Sequence, residues 1–150
     1  MRLAIALLPL LALAACNSAP DTPGQRAANA RHESFEMIGD AFKDVSDELK
    51  DPAPDIAQLR VDASTIAGLA PKVESWFPKG SGPQDKVRTH ALAAVWEKPA
   101  GFQHAAQRFT AAATALDAAA KAGDVAALRT AAQALGGTCK ACHDQFREKD

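Results

Sequence analysis

Residues 124–147, DVAALRTAAQALGGTCKACHDQFR, carry two patterns at once. Val125, Leu128, Ala132, Leu135, Cys139, Cys142 and Phe146 alternate spacings of three and four, so they fall on one stripe of an α-helix. Over the end of that stripe runs Cys139-Lys140-Ala141-Cys142-His143. A helix whose apolar seam ends in two cysteines must bury something attached to them.

Cys-x-x-Cys-His is the attachment signature of a c-type haem. Each thiol adds to one vinyl group of the porphyrin, and His143 follows as the proximal iron ligand. Other readings of these five residues are weaker. A structural zinc site wants four nitrogen or sulfur ligands, and the chain has no second Cys pair. A thioredoxin-like pair belongs at a strand–helix junction. A disulfide across three residues of one helix is strained. One covalently bound haem c is therefore expected.

The first fifteen residues read as a signal peptide. A positive start at Arg2 precedes an apolar run from Leu3 to Leu13 that is too short to span a bilayer. The ending Leu13-Ala14-Ala15-Cys16 resembles a bacterial lipobox, with Cys16 as the lipid-modified mature N-terminus. Ordinary secretory cleavage is the alternative. With Cys16 carrying lipid and Cys139 and Cys142 carrying haem, all 3 cysteines are assigned. Residues 16–24, small and polar with Pro20 and Pro23, read as a tether, and residues 25–150 as the folded domain. An exported, periplasmic, lipid-anchored protein is expected. Net charge is −1 and aromatics are 5%; no basic stripe suggests a nucleic-acid partner.

Three further seams precede the last. Ala28, Arg31, Phe35, Ile38, Phe42, Val45 and Leu49 form the first. Ile56, Leu59, Ala63, Ile66, Ala70, Val73 and Phe77 form the second, and Phe102, Ala106, Phe109, Ala113, Leu116 and Ala120 the third. Asp51-Pro52-Ala53-Pro54 and Gly123-Asp124 punctuate them, and a shorter helix is expected around residues 84–97. The fold class is all-α: an antiparallel four-helix bundle enclosing the haem. Gly136-Gly137 is expected to interrupt the last helix, either as a plain destabilising pair or as bare backbone for close approach of the macrocycle.

Arg31 is the charged member of the first seam. It either pairs with a haem propionate or snorkels into water. Phe35, one turn further in, is placed to cover the iron opposite His143. Met37 points outward, and His32, His90 and His104 read as surface residues. No sixth ligand is evident, so a five-coordinate, largely high-spin iron is expected.

These residues together resemble the cytochrome c′ family, the class II cytochromes c. The resemblance implies that Arg147 sits beside the proximal imidazole, where it also complements the helix C-terminal dipole. It implies that Arg31 lies near the propionates, that Phe35 lines the distal pocket and that Ser81, in the Trp76–Ser81 loop, contacts haem. It implies a non-enzymatic cytochrome that binds nitric oxide or carbon monoxide, with a redox partner protein and a homodimer formed through the first two helices. The low-spin c-556 type, an electron carrier with methionine at the distal position, is the alternative; Phe35 departs from it.

Overall fold

The computed structural model describes residues 21–149; the leader and Cys16 lie outside them. Helix α1 spans Pro23–Glu48. Thr22 caps it by accepting from the Gln25 amide at 3.1 Å, and Pro23 supplies the preset φ of a first turn. The helix thus begins two residues before the expected domain edge. Helix α2 spans Ile56–Leu69, capped by Asp55, which accepts from the Ala57 amide at 2.8 Å.

The expected second helix ran on to Phe77, but α2 ends at Leu69. Pro71 cannot donate to the ladder, and the chain continues as a tighter 3₁₀ segment, Ala70–Trp76. The expected helix at 84–97 is also corrected. A single 3₁₀ turn, Pro83–Asp85, gives way to non-helical chain and then to one turn, α3, at Ala94–Glu97. Helix α4 spans Pro99–Ala122 and α5 spans Val125–Phe146. Pro99 starts α4, where its preset φ suits a first turn.

Gly123 ends α4 in the left-handed region at φ 71°, and Asp124 caps α5 by accepting from the Ala127 amide at 2.9 Å. Helix α5 runs unbroken through Gly136-Gly137, contrary to the expected interruption. Among the described residues the only strand-like pairing is an isolated bridge between Ala91 and Arg147.

The four long helices α1, α2, α4 and α5 form the bundle. Helix α1 packs on α2, α2 on α4 and α4 on α5 along their lengths, whereas α1 and α5 touch sparsely. Leu59, Ile66, Leu116, Leu128 and Leu135 are fully buried along its length. The far end is tied by two arginines. Arg60 donates to the Ala120 carbonyl at 3.0 Å, and Arg129 donates to the carbonyls of Leu49 and Asp51. Each satisfies carbonyls that a helix end leaves open.

Leu116→Ala is expected to lower unfolding free energy by about 2–5 kcal/mol through lost burial and the cavity left behind. Chemical denaturation checks this; a loss below about 1 kcal/mol would mean that the core is not closed around this residue.

Candidate functional site

The site is built where both chain ends meet the 78–92 loop. Gln25, near the start of α1, clamps the loop: its amide nitrogen donates to the Arg88 carbonyl at 3.1 Å, and its carbonyl oxygen accepts from the Arg88 amide at 2.9 Å. A Cβ on Gly24 would run into the Gly80 carbonyl, so this approach needs glycine. From the other end, the Leu92 amide donates to the Phe146 carbonyl at 2.9 Å and the Glu148 amide to the His90 carbonyl at 2.8 Å.

Cys139 and Cys142 lie in the last two turns of α5, half-buried against the core. Burial pushes both thiols up, Cys142 to about 11, so both are protonated at neutral pH. His143 is exposed on the same turn. Among the described residues no three His, Cys, Asp or Glu side chains converge as a metal site, which leaves the zinc reading without ligands.

The register across α1 and α5 sets what faces the cysteines. A Cβ on Gly136 would lie 3.3 Å from the Phe42 ring, so these two residues are opposed. The helices are antiparallel. Seven residues towards the C-terminus on α5 is His143, and seven towards the N-terminus on α1 is Phe35. Each step is two turns, about 10.5 Å, so Phe35 and His143 stand at one level. Gly136 thus serves the ring of Phe42, while a Cβ on Gly137 would meet nothing within 4 Å.

Between the two helices the apolar lining is incompletely covered. Phe35, Phe42, Cys139 and Cys142 pack on the core yet stay part-exposed. Farther along the seam, away from the cysteines, lies an open groove of about 290 Å³ lined by Phe42, Ser46, Leu49, Arg129, Ala132, Gln133 and Gly136. Two sulfurs beside part-exposed apolar side chains suit a flat apolar body attached to them.

Arg31 does not snorkel: it is 4% exposed. Its Nη1 donates to Ser81 Oγ at 2.8 Å, and its Nη2 donates to the Ser81 carbonyl at 2.8 Å and Thr89 Oγ1 at 2.7 Å. The guanidinium lies 4.9 Å from the Phe77 ring centre and 5.6 Å from that of Trp96. Burial pulls it down to about 10, so it remains a cation at neutral pH. Among the described residues no carboxylate pairs with it at ion-pair distance. A buried cation held only by neutral acceptors suits an incoming carboxylate.

Ser81 is fully buried, and its hydroxyl accepts from Arg31 and donates to the Pro78 carbonyl at 2.8 Å. It positions Arg31. Phe35 meets Trp76 edge-on at 5.2 Å and Phe77 at 6.1 Å. Arg147 is exposed just past α5, and its amide donates to the His143 carbonyl at 3.1 Å.

The sequence reading missed Thr89, Gln25 and the aromatic wall of Phe77 and Trp96 around Arg31. Thr89, Gln25 and Trp96 lie outside any helical seam, and Phe77 stands at the end of the second seam, past the point where the helix itself stops. The residues read as surface groups are exposed: Met37 is 54% exposed, and His32, His90 and His104 are exposed, with His32 within 3.2 Å of Glu36.

A family model described as cytochrome c′ matches residues 26–147. Cytochrome c′ of Pararhodospirillum photometricum is 39% identical over 118 residues, covering 79% of this chain and 93% of that protein. The crystal structure of cytochrome c′ from Rubrivivax gelatinosus superposes with a TM-score of 0.77 at 34% identity, covering 83% of this chain and 97% of its own. A nitric oxide complex of a cytochrome c′ variant from Alcaligenes xylosoxidans superposes with a TM-score of 0.77 at 29% identity, covering 85% and 97%.

In the folded haem-free chain, Cys142 alkylation at pH 8 is expected to run about a hundredfold slower than in denaturant, following the thiolate fraction. The sign for stability is fixed by the same shift. Burial keeps the proton on the folded thiol, so its contribution is whole below the ordinary value of 9.0 and falls away as pH rises towards 11. Equal alkylation rates in the two states would contradict the burial.

Proposed function

The chain belongs to the cytochrome c′ family, and on that premise we propose that it is a monohaem cytochrome that takes small diatomic gases at an open iron face. It carries one covalently bound haem c, as members of the family do. When bound, the group supplies an iron that cycles by one electron and accepts a ligand such as nitric oxide or carbon monoxide.

The residues divide the work. Cys139 and Cys142 would hold the porphyrin through their sulfurs, and the His143 imidazole would serve as the protein's ligand to its iron. Burial holds both folded thiols protonated, so the bundle itself does not activate them. Arg31, set by Ser81 and Thr89, offers its fork to a propionate. Phe35, level with His143 across the seam, covers the opposite side.

The observation that carries the reading is what Phe35 lacks. It brings an aromatic edge and no hydrogen-bond donor, backed by Trp76 and Phe77. A face of this kind excludes water and disfavours ligands that depend on hydrogen bonds. Nitric oxide and carbon monoxide bond to iron without them. The low-spin electron carrier is not favoured, because Met37 lies two residues past Phe35 and points to solvent.

Export and anchoring through Cys16 belong to the same proposal, as does a redox partner. Among the described residues no helix is long and apolar enough to cross a membrane. Among the described residues the large exposed apolar side chains are Met37 on α1 and Val61 on α2, the helices through which a homodimer is proposed.

Titration of the ferrous protein with nitric oxide is expected to change its absorption spectrum stoichiometrically; an unchanged spectrum removes the reading. Phe35→Ala is expected to speed carbon monoxide association tenfold or more, corresponding to about 1.4 kcal/mol of steric barrier. An unchanged rate would place the covering residue elsewhere.

A further inference from the structure

We infer that the bundle stands on the membrane with its haem end down, the 78–92 loop and the end of α5 resting against anionic lipid headgroups. This rests on the proposed anchor at Cys16, and it adds an orientation and a contact surface to it.

Tether length excludes the opposite orientation. From Cys16 to Pro23, the first residue of α1, there are seven residue steps, at most about 25 Å of extended chain. Helix α1 has 26 residues, about 39 Å at 1.5 Å per residue. An inverted bundle would hold the start of α1 about 39 Å above the surface, beyond the reach of its own tether. Only an upright bundle or one lying on its side remains.

Charge rules out resting on α1 and draws the opposite end of the bundle down. The far half of α1 and the turn after it carry Asp40, Asp44, Asp47, Glu48, Asp51 and Asp55, against Lys43 and Lys50, both of which already pair with Asp47. An anionic surface repels that flank, so the bundle does not rest on α1. At the other end, Lys72, Lys79, Lys86, Arg88, Lys98, Arg147 and Lys149 are exposed, against Glu74, Asp85, Glu97, Asp144 and Glu148. Lys79 and Lys86 flank the point where Gly24 abuts Gly80 and Val87, so they sit beside the root of the tether. Juxtamembrane lysines add to attraction by anionic lipid.

The consequence for function is positional. Cys139, Cys142 and His143 occupy the last two turns of α5, at this same end. The haem edge then faces the bilayer, where an apolar gas partitions and where a membrane-held electron donor would sit.

The test is hydrogen exchange on the lipidated holoprotein in phosphatidylethanolamine–phosphatidylglycerol vesicles, compared with the same protein in neutral detergent. Amides of the 78–92 loop are expected to slow at least about threefold on the vesicles, with residues 49–55 unchanged. Vesicle-bound protein with slowed 49–55, or with no slowing at either end, overturns the orientation while leaving the anchor intact. Wild-type protein that fractionates as soluble, like Cys16→Ser, overturns the anchor and the orientation with it. The double variant Lys79→Glu/Lys86→Glu, checked by its haem spectrum, should stay membrane-bound and lose the slowing. Retained slowing overturns the charge contact.

Discussion

Everything in this molecule follows from a seam that protein side chains do not close. Helix α1 is packed on α2, and α5 on α4, but α1 and α5 meet at few points. Alanines fill much of the α4–α5 interior, so the helices approach closely there and little bulk is left over. On the open side, Phe35, Phe42, Cys139 and Cys142 are part-covered and lean on the core. Apolar surface left in that state calls for a partner, at roughly 25 cal/mol per Å². Two sulfurs at the edge specify that the partner is covalently held.

The second dependence is electrostatic. A guanidinium removed from water is costly unless it is paired, yet Arg31 is surrounded by a serine hydroxyl and carbonyl, a threonine hydroxyl and two aromatic faces. These acceptors orient the cation without neutralising it. The loop that supplies them is itself clamped by Gln25 and by the end of α5. Orientation at the site therefore depends on residues far apart in sequence but locked at one end of the bundle, which is the preorganisation that binding a charged group needs.

The bundle was largely legible in the sequence, because long amphipathic helices announce themselves by period and caps: Thr22, Asp55 and Asp124 each do what their residue type suggests. Errors fell where period gives no information. Pro71 turned the end of the second seam into a 3₁₀ segment although the apolar spacing ran straight on to Phe77. Residues 86–92, expected within a helix, are held by contacts with the start of α1 and the end of α5 rather than by local propensity. At the site, Cys139, Cys142 and His143 were readable as a motif and Arg31 as a misfit in its seam. Thr89, Phe77 and Trp96 were not connected to Arg31, since separations of about 50 residues leave no local mark. Gly136 turned out to serve Phe42, a contact that only the register across two helices reveals.

The central claim is that an open seam between α1 and α5 is filled by a porphyrin fixed through Cys139 and Cys142. Denaturing mass spectrometry of the mature protein, made in a host that performs c-type maturation, tests it most directly. The account predicts a polypeptide heavier by one haem, with the added mass on the peptide that contains both cysteines. A bare polypeptide, or haem lost on denaturation, would contradict it.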